Sequence, residues 1–298
     1  VGEETSWLPP DNYQVFHQNK LAMRTSPTNI GLWMLSALAA RDFGYLTADQ
    51  VVETLARSLK TIGTLERHEG HLLNWYDIQT RKPLEPRYVS TVDSGNLLGA
   101  LWTLEHGLEE LLQRPLLEGS TFEGLHDTGE VFQEAAAQGG LSGADTGAFE
   151  GLLRACRGPT GGIVGALHLL RRAEGTVRAL AGKAREISAD ETGVAYWAAQ
   201  MQKQIAAWRN TTARYLDWIV IFNEKPEEEI AQFGGDAILA LRRELNQAPS
   251  LHDLAKGRVG CIPVLRSIRE QSASAASPLF EWLDRILQAF EKSKWLAG

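Results

Sequence analysis

One long apolar stripe constrains this chain more than any other feature. Val194, Trp197, Met201, Ile205, Trp208, Tyr215, Ile219 and Phe222 recur at spacings of three, four or seven. That is the period of one helix face, not the alternation of a strand. A continuous helix here would hold about 30 residues and run roughly 45 Å at 1.5 Å per residue. Ile163, Leu167, Leu170, Val177 and Leu180 form a second stripe just upstream. A connection at "SADETG" would fold the two into an antiparallel hairpin. The tryptophans could offer a sugar platform, but at helical spacing core packing is the stronger expectation.

Helical signals recur elsewhere. Ser26 and Pro27 suit the N-cap and first position of a helix over 27–40, with a face of Leu32, Leu35, Leu38 and Ala39 and with Gly44 past its end. "TADQ", from Thr47, is a capping box, followed by Val51, Leu55, Leu59, Ile62 and Leu65. A third helix starts at Asp93 or Ser94 and carries Leu97, Leu101, Leu104, Leu108 and Leu111. Glycines punctuate 115–160, so short helices are expected there, at 130–137 and 146–156. Pro226 should end the long helix. Later helices are expected over 227–246, 263–275 and 278–296, with Ser250 and Ser277 as caps. No run alternates long enough to predict a strand. The fold class is all-α, and the recurring helix pairs suggest a toroid or solenoid.

Composition narrows the function. The 298 residues are 44% hydrophobic, enough for a large core, and the net charge is −7. An acidic balance argues against a nucleic-acid groove or an anionic membrane patch. No apolar run approaches the roughly 20 residues of a bilayer span, and no signal peptide is visible. The chain opens without Met, as a piece of a longer protein would. Cys156 and Cys261 form no disulfide or zinc pattern. His68 and His71 in "RHEGH" could hold a metal, but a solvated helix end is the stronger expectation. No metal and no cofactor is predicted.

Between the second and third helices lies "NWYDIQTRKPLEPRYVSTVDSGN", residues 74–96. A loop this long and this rich in chemistry is seldom mere connection. Trp75, Tyr76 and Tyr88 offer flat faces for the C–H side of a pyranose. Asn74, Asp77, Arg87, Asp93 and Asn96 offer hydrogen bonds for its hydroxyls. No "GxSxG" elbow and no phosphate-cradling motif is present. The same residues admit a structural reading. Asp93 would then cap the third helix, Arg87 would pair with Asp77 or Glu85, and Pro83 and Pro86 would stiffen the loop.

Three phrases carry a resemblance. "WLPPDNYQ", "RTSPTNIGLWMLSALAARDFGYLT" and "GHLLNWYDIQTRKPLEPRYVSTVDSGNL" follow in order over residues 7–100. They closely resemble consecutive motifs of cyclic β-1,2-glucan synthases, large bacterial inner-membrane enzymes. The resemblance implies the middle, ring-forming domain, an (α/α)6 toroid that transfers a linear β-1,2-glucan onto its own non-reducing end. It implies that residues 1–115 begin the toroid, 116–230 form a helical insertion, and 231–298 return toward the rest of it. Arg24, Thr25 and Asn29 would join the loop in lining a glucan cleft. Arg24 and Arg87 would fork hydrogen bonds, the rings would stack, and Asp77 and Asp93 would hold hydroxyls or tune a distant acid. Retaining glycoside chemistry needs two carboxyl groups about 5–5.5 Å apart. The family phrase "SYYDLLASEARL" is absent, so that pair is expected largely beyond residue 298 and the piece alone is expected to be inactive. The implied partners are a β-1,2-glucan chain, other domains of the same polypeptide, and a second copy through exposed faces. The implied location is the cytoplasmic side of the inner membrane. The rival expectation is a structural module in which the hairpin at 163–222 docks another domain or protomer.

Overall fold

A computed structural model describes residues 1–16, 20–141, 143–187, 193–225, 227–232, 236–271 and 278–298. The fold is all-α, and the chain divides into two compact units.

The first unit comprises Val1–Asp42 and Ala48–Leu111. Its helices are α1 (Pro27–Asp42), α2 (Ala48–Ile62) and most of α3 (Thr91–Gln113). Ser26 caps α1, accepting from the Asn29 N–H at 3.3 Å. The buried face of α1 is Ile30, Met34, Ala37 and Arg41, and Leu32 of the predicted stripe is 58% exposed. The reason is that α1 is apolar on nearly every side, so periodicity alone does not fix its orientation. On α2, Val51, Leu55 and Ile62 are buried as expected, but Leu59 is exposed and Ser58 is buried instead. Ser58 is satisfied there, accepting from the Trp33 indole at 3.1 Å and donating to the Trp7 carbonyl at 2.8 Å. α1 and α3 approach through glycines. A Cβ on Gly31 would lie 2.8 Å from the Ala100 Cβ, and one on Gly107 would lie 2.2 Å from Leu38.

Strands do occur, contrary to expectation, as two-residue ribbons too short to show a period. They are β1 (Tyr13–Gln14), β2 (Lys20–Leu21), β3 (Arg24–Thr25), β4 (Arg67–His68), β5 (His71–Leu72) and β6 (Tyr76–Asp77). β1 pairs with β2, β3 with β6, and β4 with β5, all antiparallel. The "RHEGH" stretch is thus a hairpin tip, not a helix end. Glu69 and Gly70, both at positive φ, make the two-residue turn such a ribbon favours.

The second unit comprises Phe43–Thr47 and Leu112–Gly298. Its helices are α4 (Gly119–Gln138), α5 (Gly143–Arg157), α6 (Gly162–Ile187), α7 (Val194–Tyr215), α8 (Asp217–Phe222), α9 (Glu227–Gln232), α10 (Asp236–Glu244), α11 (Leu251–Lys256), α12 (Cys261–Gln271) and α13 (Pro278–Ala297). α4 and α5 replace the short helices expected in the glycine-rich stretch. The glycines there serve close approach. A Cβ on Gly124 would meet the Phe43 carbonyl oxygen at 2.4 Å, and one on Gly129 would meet Leu153 at 2.4 Å.

α6 and α7 form the predicted antiparallel pair. Arg185 reaches Gln202 near one end, and Arg209 reaches Glu174 further along. Trp208 is only 1% exposed, which settles the tryptophan stripe as core, not platform. The helix does not run unbroken to Phe222. It breaks at Leu216 (φ −122°, ψ 10°), and α8 then lays Trp218 edge-on to Phe290 and stacks Phe222 with Trp282. The break follows Thr211 and Thr212, where the Thr212 hydroxyl donates to the Arg209 carbonyl and competes with the helix ladder. Ser250 caps α11 as expected, accepting from the Asp253 N–H at 3.0 Å. The connection at 188–192, Pro226 and Ser277 lie outside the described residues. Cys156 and Cys261 are free, and burial pushes both thiols up to about 11. Among the described residues no helix is long and apolar enough to cross a membrane.

Gly44 anchors the second unit. Its φ is +73°, its carbonyl accepts from Gln204 Nε2 and the Trp208 indole at 3.1 Å each, and a Cβ there would lie 1.9 Å from the Ser120 carbonyl oxygen. Gly44→Ala should therefore destabilise the chain by more than about 2 kcal/mol, through left-handed strain and a clash with backbone that cannot yield. Urea unfolding followed by circular dichroism checks this.

Candidate functional site

The loop and its neighbours are tied together by hydrogen bonds centred on Asn74, which is buried. β3 and β6 bring the pieces to one place, with Arg24 opposite Asp77 and Thr25 opposite Tyr76. With its amide nitrogen toward Asp93, Asn74 donates to Asp93 Oδ2 at 3.1 Å. Its amide oxygen accepts from the Tyr88 hydroxyl at 2.7 Å and from the Trp75 indole N–H. Its backbone N–H donates to the Tyr88 carbonyl at 2.9 Å.

From that hub the bonds run outward in two directions. Asp93 Oδ1 accepts from the Thr28 hydroxyl at 2.6 Å, and Thr28 accepts from Asn96 Nδ2 at 3.1 Å. On the other side, the Arg24 guanidinium lies 4.5 Å over the Trp75 ring. Arg24 donates through Nε and Nη2 to Asp11 Oδ2 at 3.3 and 3.1 Å. Asp11 also accepts from Asn29 at 3.1 Å and from Asn12 at 2.9 Å.

Of the predicted residues, the network joins Arg24, Asn29, Asn74, Trp75, Tyr88, Asp93 and Asn96. It leaves out four. Tyr76 is wholly buried, so it offers no face for stacking. Its hydroxyl donates to the Glu66 carbonyl at 2.6 Å and accepts from the Leu73 N–H at 2.7 Å. Thr25 is also wholly buried and presents nothing to a ligand. Asp77 Oδ1 closes its own turn, accepting from the N–H groups of Gln79 and Thr80 and from the Thr80 hydroxyl. Arg87 pairs with Glu85 at 3.1 Å and with Glu66 at 2.8 Å. The structural reading of Arg87 thus holds for Glu85, while Glu66 was unforeseen. Asp93 is not the helix cap. That position falls to Ser90, which accepts from the Asp93 N–H at 3.2 Å and frees the carboxylate for Thr28 and Asn74.

The sequence reading missed Asp11, Thr28, Glu66 and Ser90. Asp11 was the most legible, since a carboxylate directly after Pro9–Pro10 sits in a stiffened segment with no helix to cap.

The surroundings of two carboxylates hold them below their ordinary pKa. Burial alone would raise the Asp93 pKa, but hydrogen bonds from Ser90, Thr28 and Ser26 outweigh it and hold the group below its ordinary value. The Thr80 N–H, with smaller help from the Thr80 hydroxyl and the Gln79 N–H, lowers Asp77 against a smaller opposing effect of burial. Beside Arg24, an open groove of about 480 Å³ is lined by Asn12, Gln14 and Lys20 through Arg24.

No protein-family model matches the chain. The chain is 41% identical over 137 residues to the cyclic beta-(1,2)-glucan synthase NdvB of Rhizobium meliloti (strain 1021). The match covers 45% of this chain and 5% of that protein, so the chain spans a small part of its relative's length. The resemblance carried by the three phrases is borne out: the chain contains a segment related to cyclic β-1,2-glucan synthases.

Asn74→Ala should cost about 1–2 kcal/mol, because it removes a buried amide that pairs the Trp75 indole, the Tyr88 hydroxyl and the Asp93 carboxylate at once. Chemical denaturation measures the loss. Asp93 gives a pH test. Because its folded-state pKa is lowered, its contribution is fully present above the ordinary carboxylate value and disappears as pH falls through the folded value. The stability gap between the native chain and Asp93→Asn should therefore narrow below about pH 4, read from thermal melts across pH.

Proposed function

We propose that the chain is a piece of a cyclic β-1,2-glucan synthase, and that the first unit contributes a rim of contacts for the glucan chain on which the ring-forming transglycosylation acts. The observation that carries this reading is the 41% identity over 137 residues to a protein of that name. The site's chemistry supports a neutral polyol in particular. Asp11 would repel a phosphate or carboxylate ligand close to Arg24. What remains for a ligand is a mixture of fixed donors and acceptors. The Arg24 guanidinium uses Nε and Nη2 on Asp11, leaving Nη1 as a donor. Asn29 and Asn96 each donate through their amides and keep an amide oxygen as acceptor. The exposed Tyr88 ring, held by its hydroxyl, supplies an apolar face.

In this reading the catalytic carboxyl pair and any membrane attachment belong to other parts of the longer protein, and the first unit forms part of an (α/α)6 toroid. Exposed apolar side chains on α3, among them Leu98, Leu101 and Trp102, would then face other domains of the same polypeptide. A second reading has support of its own. The loop's side chains satisfy one another, which is also what a folded brace between helices requires.

Titration of the chain with a β-1,2-linked gluco-oligosaccharide separates the two, followed by calorimetry and by the Trp75 indole signal in NMR. Tyr88→Ala and Arg24→Ala are each expected to weaken binding about tenfold, by roughly 1.4 kcal/mol. Absence of oligosaccharide-dependent shifts at Trp75 and Tyr88, with fold intact, would leave the brace.

A further inference from the structure

We propose that His126, Asp127 and Glu130 on α4 bind a divalent transition-metal ion, with Zn²⁺ the best match. The cluster lies in the second unit and has no part in the glucan reading.

His126 anchors the cluster. Its side chain is nearly buried, at 5% relative exposure, yet neither ring nitrogen has a hydrogen-bond partner among the described residues. Nδ1 lies 3.8 Å from Asp127 Oδ1, and Nε2 lies 3.7 Å from Glu130 Oε1. Both distances exceed hydrogen-bond length. No side-chain hydrogen bond reaches the ring among the described residues, so its nitrogens are left to the little solvent that touches them or to a ligand. The ring lies beside both carboxylates without bonding them, and an ion taken by one ring nitrogen would draw the carboxylate oxygens around it while the other nitrogen keeps its N–H.

Helix geometry supplies the set. Residues at i,i+4 and i,i+3 are neighbours on a helix surface, which puts Glu130 one turn from both His126 and Asp127. One ligand atom from each of the three residues fits within 4.8 Å of the others. Tetrahedral zinc with bonds of about 2.0–2.2 Å holds its ligand atoms about 3.4 Å apart, so modest side-chain rotation closes the set. One imidazole and two carboxylates carry two negative charges, matching the ion. Imidazole in the set favours zinc over magnesium. Asp127 and Glu130 are about half exposed, so an ion can enter and a water can complete the coordination.

The carboxylates are also held. Tyr45 donates to Asp127 Oδ2 at 3.0 Å, and Arg157 of α5 donates to Glu130 Oε1 at 3.1 Å. Outer partners of this kind orient metal ligands. Arg157 is itself well exposed, so its pair with Glu130 is weak and yields readily to a divalent ion. A bound ion would fasten α4 to the segment carrying Tyr45.

The test uses the whole 298-residue chain, freed of metal with a chelator and titrated with Zn²⁺ by calorimetry, with Co²⁺ absorption as a ligand fingerprint and Mg²⁺ as control. One Zn²⁺ per chain and no measurable Mg²⁺ uptake are expected. Asp127→Asn and Glu130→Gln alter exposed side chains and should fold, each with affinity lowered about tenfold or more. Arg157→Gln should tighten binding by freeing Glu130. Saturable Zn²⁺ uptake that Glu130→Gln leaves unchanged would place the ion elsewhere, for instance at His68 and His71, and overturn the proposal. So would the absence of Zn²⁺ uptake.

Discussion

The first unit depends on one buried amide. Asn74 touches Asp93, Trp75 and Tyr88 together, and it uses donor and acceptor at once. A carboxylate in its place could not donate to Asp93, and an apolar residue would strand three polar groups. The amide thus fixes where the loop lies against α1 and α3, and everything further out inherits that placement. Trp75 is set by its indole, Arg24 by the Trp75 face and by Asp11, and Asn29 by Asp11 in turn. Low local dielectric strengthens such a chain and makes a missing member expensive, so it tends to be complete or absent.

The second unit rests on backbone proximity. The Gly44 carbonyl receives two side-chain donors from α7, and α4 carries Gly124 against the Phe43 and Gly44 backbone. These contacts need bare Cα atoms and admit no side chain. Aromatic pairs then fill what remains: Phe132 on Phe149, Trp218 on Phe290 and Phe222 on Trp282. Edge-on and stacked rings add roughly 0.5–1.5 kcal/mol per pair beyond burial, so they tune the packing without creating it.

What the sequence made legible follows from range. Local signals are legible: Ser26 before Pro27, Ser250 before Leu251, and the stripes of α6 and of α7 as far as Tyr215. Signals that depend on the partner are not. Glycines at 124 and 129 look like helix breakers until the neighbouring chain is seen to need their space. Leu59 and Ser58 exchange places because Trp33 and Trp7 offer the serine hydroxyl its bonds. α1, apolar on all sides, leaves its orientation to tertiary contacts. In the loop, residue types were informative but assignments were not. Nothing local tells a reader that Asp77 closes its own turn while Asp93, with a similar neighbourhood, reaches across to Thr28.

That mutual saturation bears directly on the rim proposed for a glucan chain. A side chain with every hydrogen bond made internally offers a ligand nothing, and this removes Asp77 and Tyr76. A side chain held by part of its capacity offers the remainder in a fixed direction, which is the position of Arg24, Asn29, Asn96 and Tyr88. Sugar hydroxyls are weak partners that water matches well, so their net gain per bond is small. In that proposal, discrimination would come from a lower cost of ordering the protein side, because Arg24 and Asn29 are already held by hydrogen bonds to Asp11. A loop of free arginines and tryptophans would look more like a binding site in sequence, yet it would bind a neutral glycan less well. The internal bracing of residues 74–96 is therefore compatible with a recognition surface, and of the residues with unspent capacity Arg24 lines the open groove, beside Asn12.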